Sequence, residues 1–225
     1  MARWILASAS PRRRELLRQM GIQEFAVIPA TGEERSLASD PGSYVEELAR
    51  HKALEVFRRI PADPCAADGC TDAGRMAAAG PLAGPCGGDG ICVIGADTIV
   101  VCGGHILGKP ADREDAARMI RSIQGRGHEV MTGVSLIWNG IEDANGGDRI
   151  YTETFHVTTA VHVAPMDEKE IAQYLATGEA DDKAGAYGIQ GAFGIFIEGI
   201  EGDYYNVVGL PIAALYQTIK RRHLL

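Results

Sequence analysis

The chain has 225 residues, 46% hydrophobic and 23% charged, with a formal net charge of −8, a composition suited to one large or two small globular lobes. An acidic surface argues against binding DNA or RNA, which calls for basic patches. No stretch approaches the roughly 18 apolar residues of a membrane span, and Trp4–Ala7, with arginines after it, is too short for a signal peptide, so a cytoplasmic address with reduced cysteines is expected.

Trp4–Ala7 reads as a buried strand, with Ser10 capping a helix that starts at Pro11. Three arginines, Arg12, Arg13 and Arg14, fall in the first turn of that helix. Cations there oppose the helix dipole unless an anion offsets both, and a helix N-terminus is itself a ready anion site. A short strand over Phe25–Pro29 leads to a polar loop with Glu33, Glu34 and Arg35, and Asp40-Pro41 opens a helix to about Ile60. Residues Pro61–Gly90, rich in alanine, glycine and cysteine, read as a flexible inserted loop. Its spacing of Cys65, Cys70, Cys86 and the following Cys92 does not match the paired C-x2-C of structural zinc sites.

Ile91–Ala96 reads as a buried strand with Asp97 at its end, and the chain stays extended to Cys102 before Gly103-Gly104 turns into Ile106-Leu107. Asp112–Ile123 is an amphipathic helix. Val130–Trp138 and Thr152–Val163 are paired long strands around Asn145-Gly146-Gly147. Asp167-x-x-Glu170 starts a helix ending at Gly178. A glycine-rich loop over Asp181–Gly194, a strand over Ile195–Ile200 and a helix from Pro211 to the end complete a mixed α/β chain.

Several residues stand out for their chemistry. Asp97 closes an apolar run, where a carboxylate needs a partner. Lys52 shares a helical stripe with Leu48 and Val56, so it must snorkel outward or meet an anion. Lys109 lies between Gly108 and Pro110, in no P-loop pattern. Lys183, Tyr187 and Gln190 sit among glycines that allow close backbone approach, and the amide of Gln190 suits the edge of a nucleobase. Glu33 and Glu34, in a loop placed opposite these cations, offer hard oxygen ligands for Mg²⁺ or Mn²⁺. The six histidines show no zinc spacing.

Six segments taken together resemble the Maf family of nucleoside triphosphate pyrophosphatases. They are Leu6-Ala-Ser-Ala-Ser-Pro-Arg-Arg13, Leu48-Ala-Arg-His-Lys-Ala53, Gly95-Ala-Asp-Thr98, Leu107-Gly-Lys-Pro110, Asp182-Lys-Ala-Gly-Ala-Tyr-Gly-Ile-Gln-Gly191 and Gly202-Asp-Tyr-Tyr-Asn-Val-Val-Gly-Leu-Pro211. The resemblance implies a single domain, a twisted mixed sheet flanked by helices, in two lobes with a central cleft as in inosine-triphosphatase-like folds. It implies hydrolysis of a nucleoside triphosphate between the α- and β-phosphates, with Asp97 catalytic. Ser8, Ser10, Arg12, Arg13, Lys52, Lys109 and Lys183 are expected around the phosphates. Arg12, Thr98 and Gln190 match the specificity positions of the branch acting on dTTP and UTP. Glu33 or Glu34, with Asp97, is expected to hold a divalent ion, and whether Asp97 acts as base or as metal ligand stays open. Family members are cytoplasmic and often dimers. The alternatives are a nucleotide-binding regulator of cell division without turnover, or a pyrophosphatase for another modified nucleotide.

Overall fold

The computed structural model describes residues 3–33, 35–60, 90–142 and 147–224. The expected insertion, with Cys65, Cys70 and Cys86, lies outside the described residues, as does Glu34.

Among the described residues the sheet has seven strands. β1 (Arg3–Leu6) pairs in parallel with β2 (Ala26–Val27) and with β3 (Ile91–Cys102). β3 turns through Gly103 and Gly104, both at positive φ, into the antiparallel β4 (His105–Leu107). On its other side β3 pairs antiparallel with β5 (Gly127–Glu142), which forms a long hairpin with β6 (Gly147–Val163). β7 (Ile197–Glu201) completes the spatial order β2-β1-β3-β5-β6-β7. The hairpin strands outrun the apolar segments that announced them, because each satisfies the other's backbone regardless of side chain.

Helix starts are fixed by local chemistry. Ser10 caps α1 (Pro11–Gln19), Asp40 caps α2 (Pro41–Arg59) and Asp112 caps α3 (Arg113–Ile123), each accepting a hydrogen bond from the backbone N–H three residues on. Asp167 and Glu170 form a reciprocal capping box on α4 (Glu168–Leu175), which stops short of Gly178. A short helix the sequence did not signal, α5 (Tyr204–Val208), is capped by Asp203 and precedes α6 (Ile212–Arg221). Residues Ala192–Phe196 form a 3₁₀ turn, so β7 begins two residues later than expected.

Alternation along β3 places the site. Its even positions feed two cores in succession. Cys92, Ile94 and Ala96 pack with Leu17, Leu136 and Leu215, whereas Val100 and Cys102 pack with Ile120, Val161 and Phe193. Thr98 falls between them. On the opposite face, Val93 packs on Ala53 and Val56 of α2, and Ile99 and Val101 pack on Val45. Asp97 falls between those two clusters. On each face the apolar packing breaks into two clusters, and the junction between them carries a polar residue.

Candidate functional site

Asp97 is not at a strand end. β3 continues past it because β5 pairs with it from Cys92 to Val101. What ends is the other neighbour. β1 pairs only as far as Leu6 opposite Ile94, and β4 joins only at Val100. The intervening edge of β3 opens into a cleft of about 920 Å³. A crevice where neighbouring strands part is where open α/β sheets take ligands.

Ser8, Ser10, Arg12, Arg13, Lys52, Asp97, Thr98, Lys109, Lys183 and Gln190 all line this cleft. Lys52 Nζ donates to Asp97 Oδ1 at 2.5 Å, and the two side chains are only 16% and 12% exposed. The lysine on the apolar stripe of α2 thus meets its anion. It can do so because α2 lies directly on the sheet. A Cβ on Gly95 would come within 2.3 Å of Ala49 O, and one on Gly133 within 2.3 Å of Val45 O. Glycines at these two positions let backbone touch backbone.

Arg13 is held on several sides. Its Nε donates to Gly209 O at 2.8 Å, Nη1 to Ser8 Oγ at 3.2 Å and Nη2 to Thr98 Oγ1 at 3.0 Å. Thr98 Oγ1 also meets Thr132 Oγ1 at 3.0 Å, and Thr132 donates to Asn206 O at 2.9 Å. This chain of hydroxyls ties the guanidinium to α5, in the Gly202–Pro211 segment. Thr98, expected at a specificity position, has its hydroxyl engaged with Arg13 and the core.

Lys183 Nζ donates to Glu179 O at 2.6 Å and to Asp182 Oδ1 at 2.7 Å. That hydrogen bond, with a smaller contribution from the Arg12 guanidinium, holds the Asp182 carboxyl below its ordinary range. Tyr44 and Glu179 also line the cleft, and no spacing in the sequence marked either. Glu179 accepts from Ala192 N at 3.0 Å and closes the glycine-rich loop.

Glu33 is not brought to the cleft. It pairs with Arg35 at 2.7 Å, with both side chains more than 70% exposed. Among the described residues no cluster of three or more His, Cys, Asp or Glu is placed to hold a metal, and Cys92 is buried in β3. The donor set nonetheless fits a hard cation of the Mg²⁺ type, which commonly binds through one or two carboxylates together with substrate phosphates. Asp97 is the deep carboxylate available for that.

Tyr187 lies at the wall of the cleft, with its Oη 2.7 Å from Nε2 of His128 on β5. Burial, with repulsion from His162, pulls the His128 pKa from 6.5 to about 4. The folded state therefore keeps the ring neutral while the unfolded chain takes up a proton below about pH 6.5. Stability attributable to His128 should fall by about 2 kcal/mol as pH drops from 6.5 to 5. Thermal unfolding of His128→Gln should lack that part of the slope.

No helix among the described residues is long and apolar enough to cross a membrane. The sequence model of the family described as "Maf-like protein" matches residues 3–222. A dTTP/UTP pyrophosphatase of Koribacter versatilis is 46% identical over 218 residues, covering 96% of this chain and 93% of that protein. One of Agathobacter rectalis is 45% identical over 221 residues, 98% of each chain, and one of Thermococcus kodakarensis is 43% identical over 213 residues, 95% and 93%. The family match runs through every element that builds the cleft, and the chain belongs to the Maf-like protein family.

Proposed function

We propose that this protein hydrolyses dTTP and UTP between the α- and β-phosphates, giving the nucleoside monophosphate and pyrophosphate. One observation carries the reading: a buried carboxylate, Asp97, held by Lys52 inside a cleft ringed by Arg12, Arg13, Lys109 and Lys183. A cation-lined pocket suits a triphosphate, and a single carboxylate among the cations suits a water nucleophile. The similarity to dTTP/UTP pyrophosphatases supports the same reading.

In this mechanism Asp97 orients a water molecule and takes its proton as the oxygen attacks the α-phosphorus. The bond from that phosphorus to the bridging oxygen breaks, and pyrophosphate leaves with the electron pair. Lys52, whose Nζ donates to Asp97 Oδ1, fixes the orientation of the carboxylate. Arg13, fixed by Ser8, Thr98 and Gly209, holds its positive charge in place at the cleft wall, where it favours the phosphates. Ser8 and Ser10 support the backbone of the α1 N-terminus beside them. Arg12 and Gln190 read the base, and Thr98 acts on specificity through Arg13. A Mg²⁺ or Mn²⁺ ion, for which Asp97 would supply the protein carboxylate, would offset the triphosphate charge. The protein acts on free nucleotides in the cytoplasm, with DNA and RNA outside its range, as one Maf-like domain that assembles as a homodimer.

Pyrophosphate release should be measured across dTTP, UTP, CTP, GTP, ATP and 5-substituted pyrimidine triphosphates, with and without Mn²⁺. The expected kcat/KM for dTTP and UTP exceeds that for the purine nucleotides by about 10-fold or more, the discrimination that one or two hydrogen bonds supply. Binding without release from any of them would indicate a regulator instead. Arg13→Lys, which keeps the charge but loses the fork, should raise KM for dTTP by about 10-fold.

A further inference from the structure

Besides the Lys183 Nζ bond to Glu179 O, three hydrogen bonds among the described residues hold the loop that brings Lys183 and Gln190 to the cleft. Gly185 N donates to Gly108 O at 3.0 Å, the Glu179 carboxylate accepts from Ala192 N, and Tyr187 Oη meets His128 Nε2. Only the last is a bond between two side chains. It fastens the loop to β5, the strand that pairs with Asp97 through Gly133.

Just before Tyr187 the backbone is strained. Gly185 has φ 67° and Ala186 φ 61°, and Ala186 is fully buried. An alanine in left-handed geometry persists only where its surroundings over-determine it. The Tyr187 ring leans on Phe193, with centroids 4.8 Å apart, and stands edge-on to His128 at 83°. His128 is 4% exposed and is not among the cleft-lining residues. Its Nδ1 has no hydrogen-bond partner among the described residues, so the ring's polar tie is the one to Tyr187. A half-satisfied buried imidazole is a costly way to fill space. Burial keeps the imidazole neutral and raises the Tyr187 phenol above its usual value, so neither partner ionises near neutrality.

We propose that His128 is a positioning residue: through Tyr187 it locks the Gly185–Ala186 turn and thereby sets where Lys183 and Gln190 stand in the cleft, and with them the choice of base. The inference rests on the reading that the cleft takes a nucleoside triphosphate, and the two fail separately. The probe is α,β-methylene-dTTP, titrated calorimetrically into wild type, Tyr187→Phe, His128→Leu, their double variant and His128→Gln. Tyr187→Phe and His128→Leu should each weaken binding by about 5–10-fold, the worth of one buried hydrogen bond. The double variant should be no weaker than either single one, as for two ends of one interaction. His128→Gln, which can still bond to the phenol, should recover to within about twofold. KM for dTTP should rise in step while kcat of His128→Leu stays within about threefold, and the preference for dTTP over the purine nucleotides should narrow.

A lowered melting temperature with unchanged affinity would overturn the inference, as would additive losses in the double variant. Tyr187→Phe keeps the ring and its packing, so the test survives a His128→Leu that fails to fold. Wild type that binds the analogue yet releases no pyrophosphate from dTTP would end the hydrolase reading while the affinity series still decided this one.

Discussion

Asp97→Asn should reduce the turnover of dTTP by about 10²-fold or more, the scale on which a general base contributes. The substitution is nearly isosteric, and the amide oxygen still accepts from Lys52, so the cleft keeps its shape. What disappears is the negative charge and the capacity to take a proton from water. The same change leaves a lysine ammonium largely buried against a neutral partner, and removing one member of a buried pair costs up to about 3–5 kcal/mol. The retained hydrogen bond should keep the loss below that range. Kinetics should therefore be run well below the variant's melting temperature, with circular dichroism checking the fold. Turnover within threefold of wild type would remove Asp97 from the mechanism.

Gly95→Ala should damage stability and activity together, although neither Gly95 nor the methyl it gains touches substrate. The new Cβ would stand 2.3 Å from Ala49 O, 2.7 Å from Ala53 N and 2.8 Å from Ala53 Cβ. Two of these are backbone atoms of α2, which cannot rotate aside, so the whole helix must shift outward. Overpacking of this kind costs about 1–3 kcal/mol or somewhat more. For a chain of this size that corresponds to a melting temperature lowered by about 6–12 °C at the upper end of the range. Lys52 lies one residue before Ala53 on the displaced helix, and its 2.5 Å contact with Asp97 has no slack. A fall in kcat/KM of about 10-fold or more is expected, since catalytic groups displaced by an ångström lose that much. Gly199→Ala, in β7, is the control: its Cβ meets nothing within 4 Å, and its melting temperature and activity should match wild type. A Gly95→Ala protein as stable and active as that control would contradict the close seating of α2 on the sheet.

Much of this protein could be read along the chain because the signals are local. Ser10, Asp40, Asp112 and Asp167 cap their helices through bonds spanning three residues, and the Gly103-Gly104 turn is equally short-range. The cations and the aspartate also announced themselves by residue type, since charge on an apolar stripe or at the end of an apolar run needs a partner.

What the chain could not show is which partner each charge meets. Lys52 and Asp97 are 45 residues apart, and Arg13 reaches Gly209 across 196. Such contacts depend on how far β1 pairs along β3 and on how closely two glycines let α2 approach. Position in the sequence placed Asp97 at a strand end and Glu33 opposite the cations. The sheet puts Asp97 in mid-strand, where a neighbouring strand stops, and leaves Glu33 paired in solvent. Charge and periodicity belong to residues and can be read one at a time, whereas convergence belongs to packing, which exists only once distant segments share a surface.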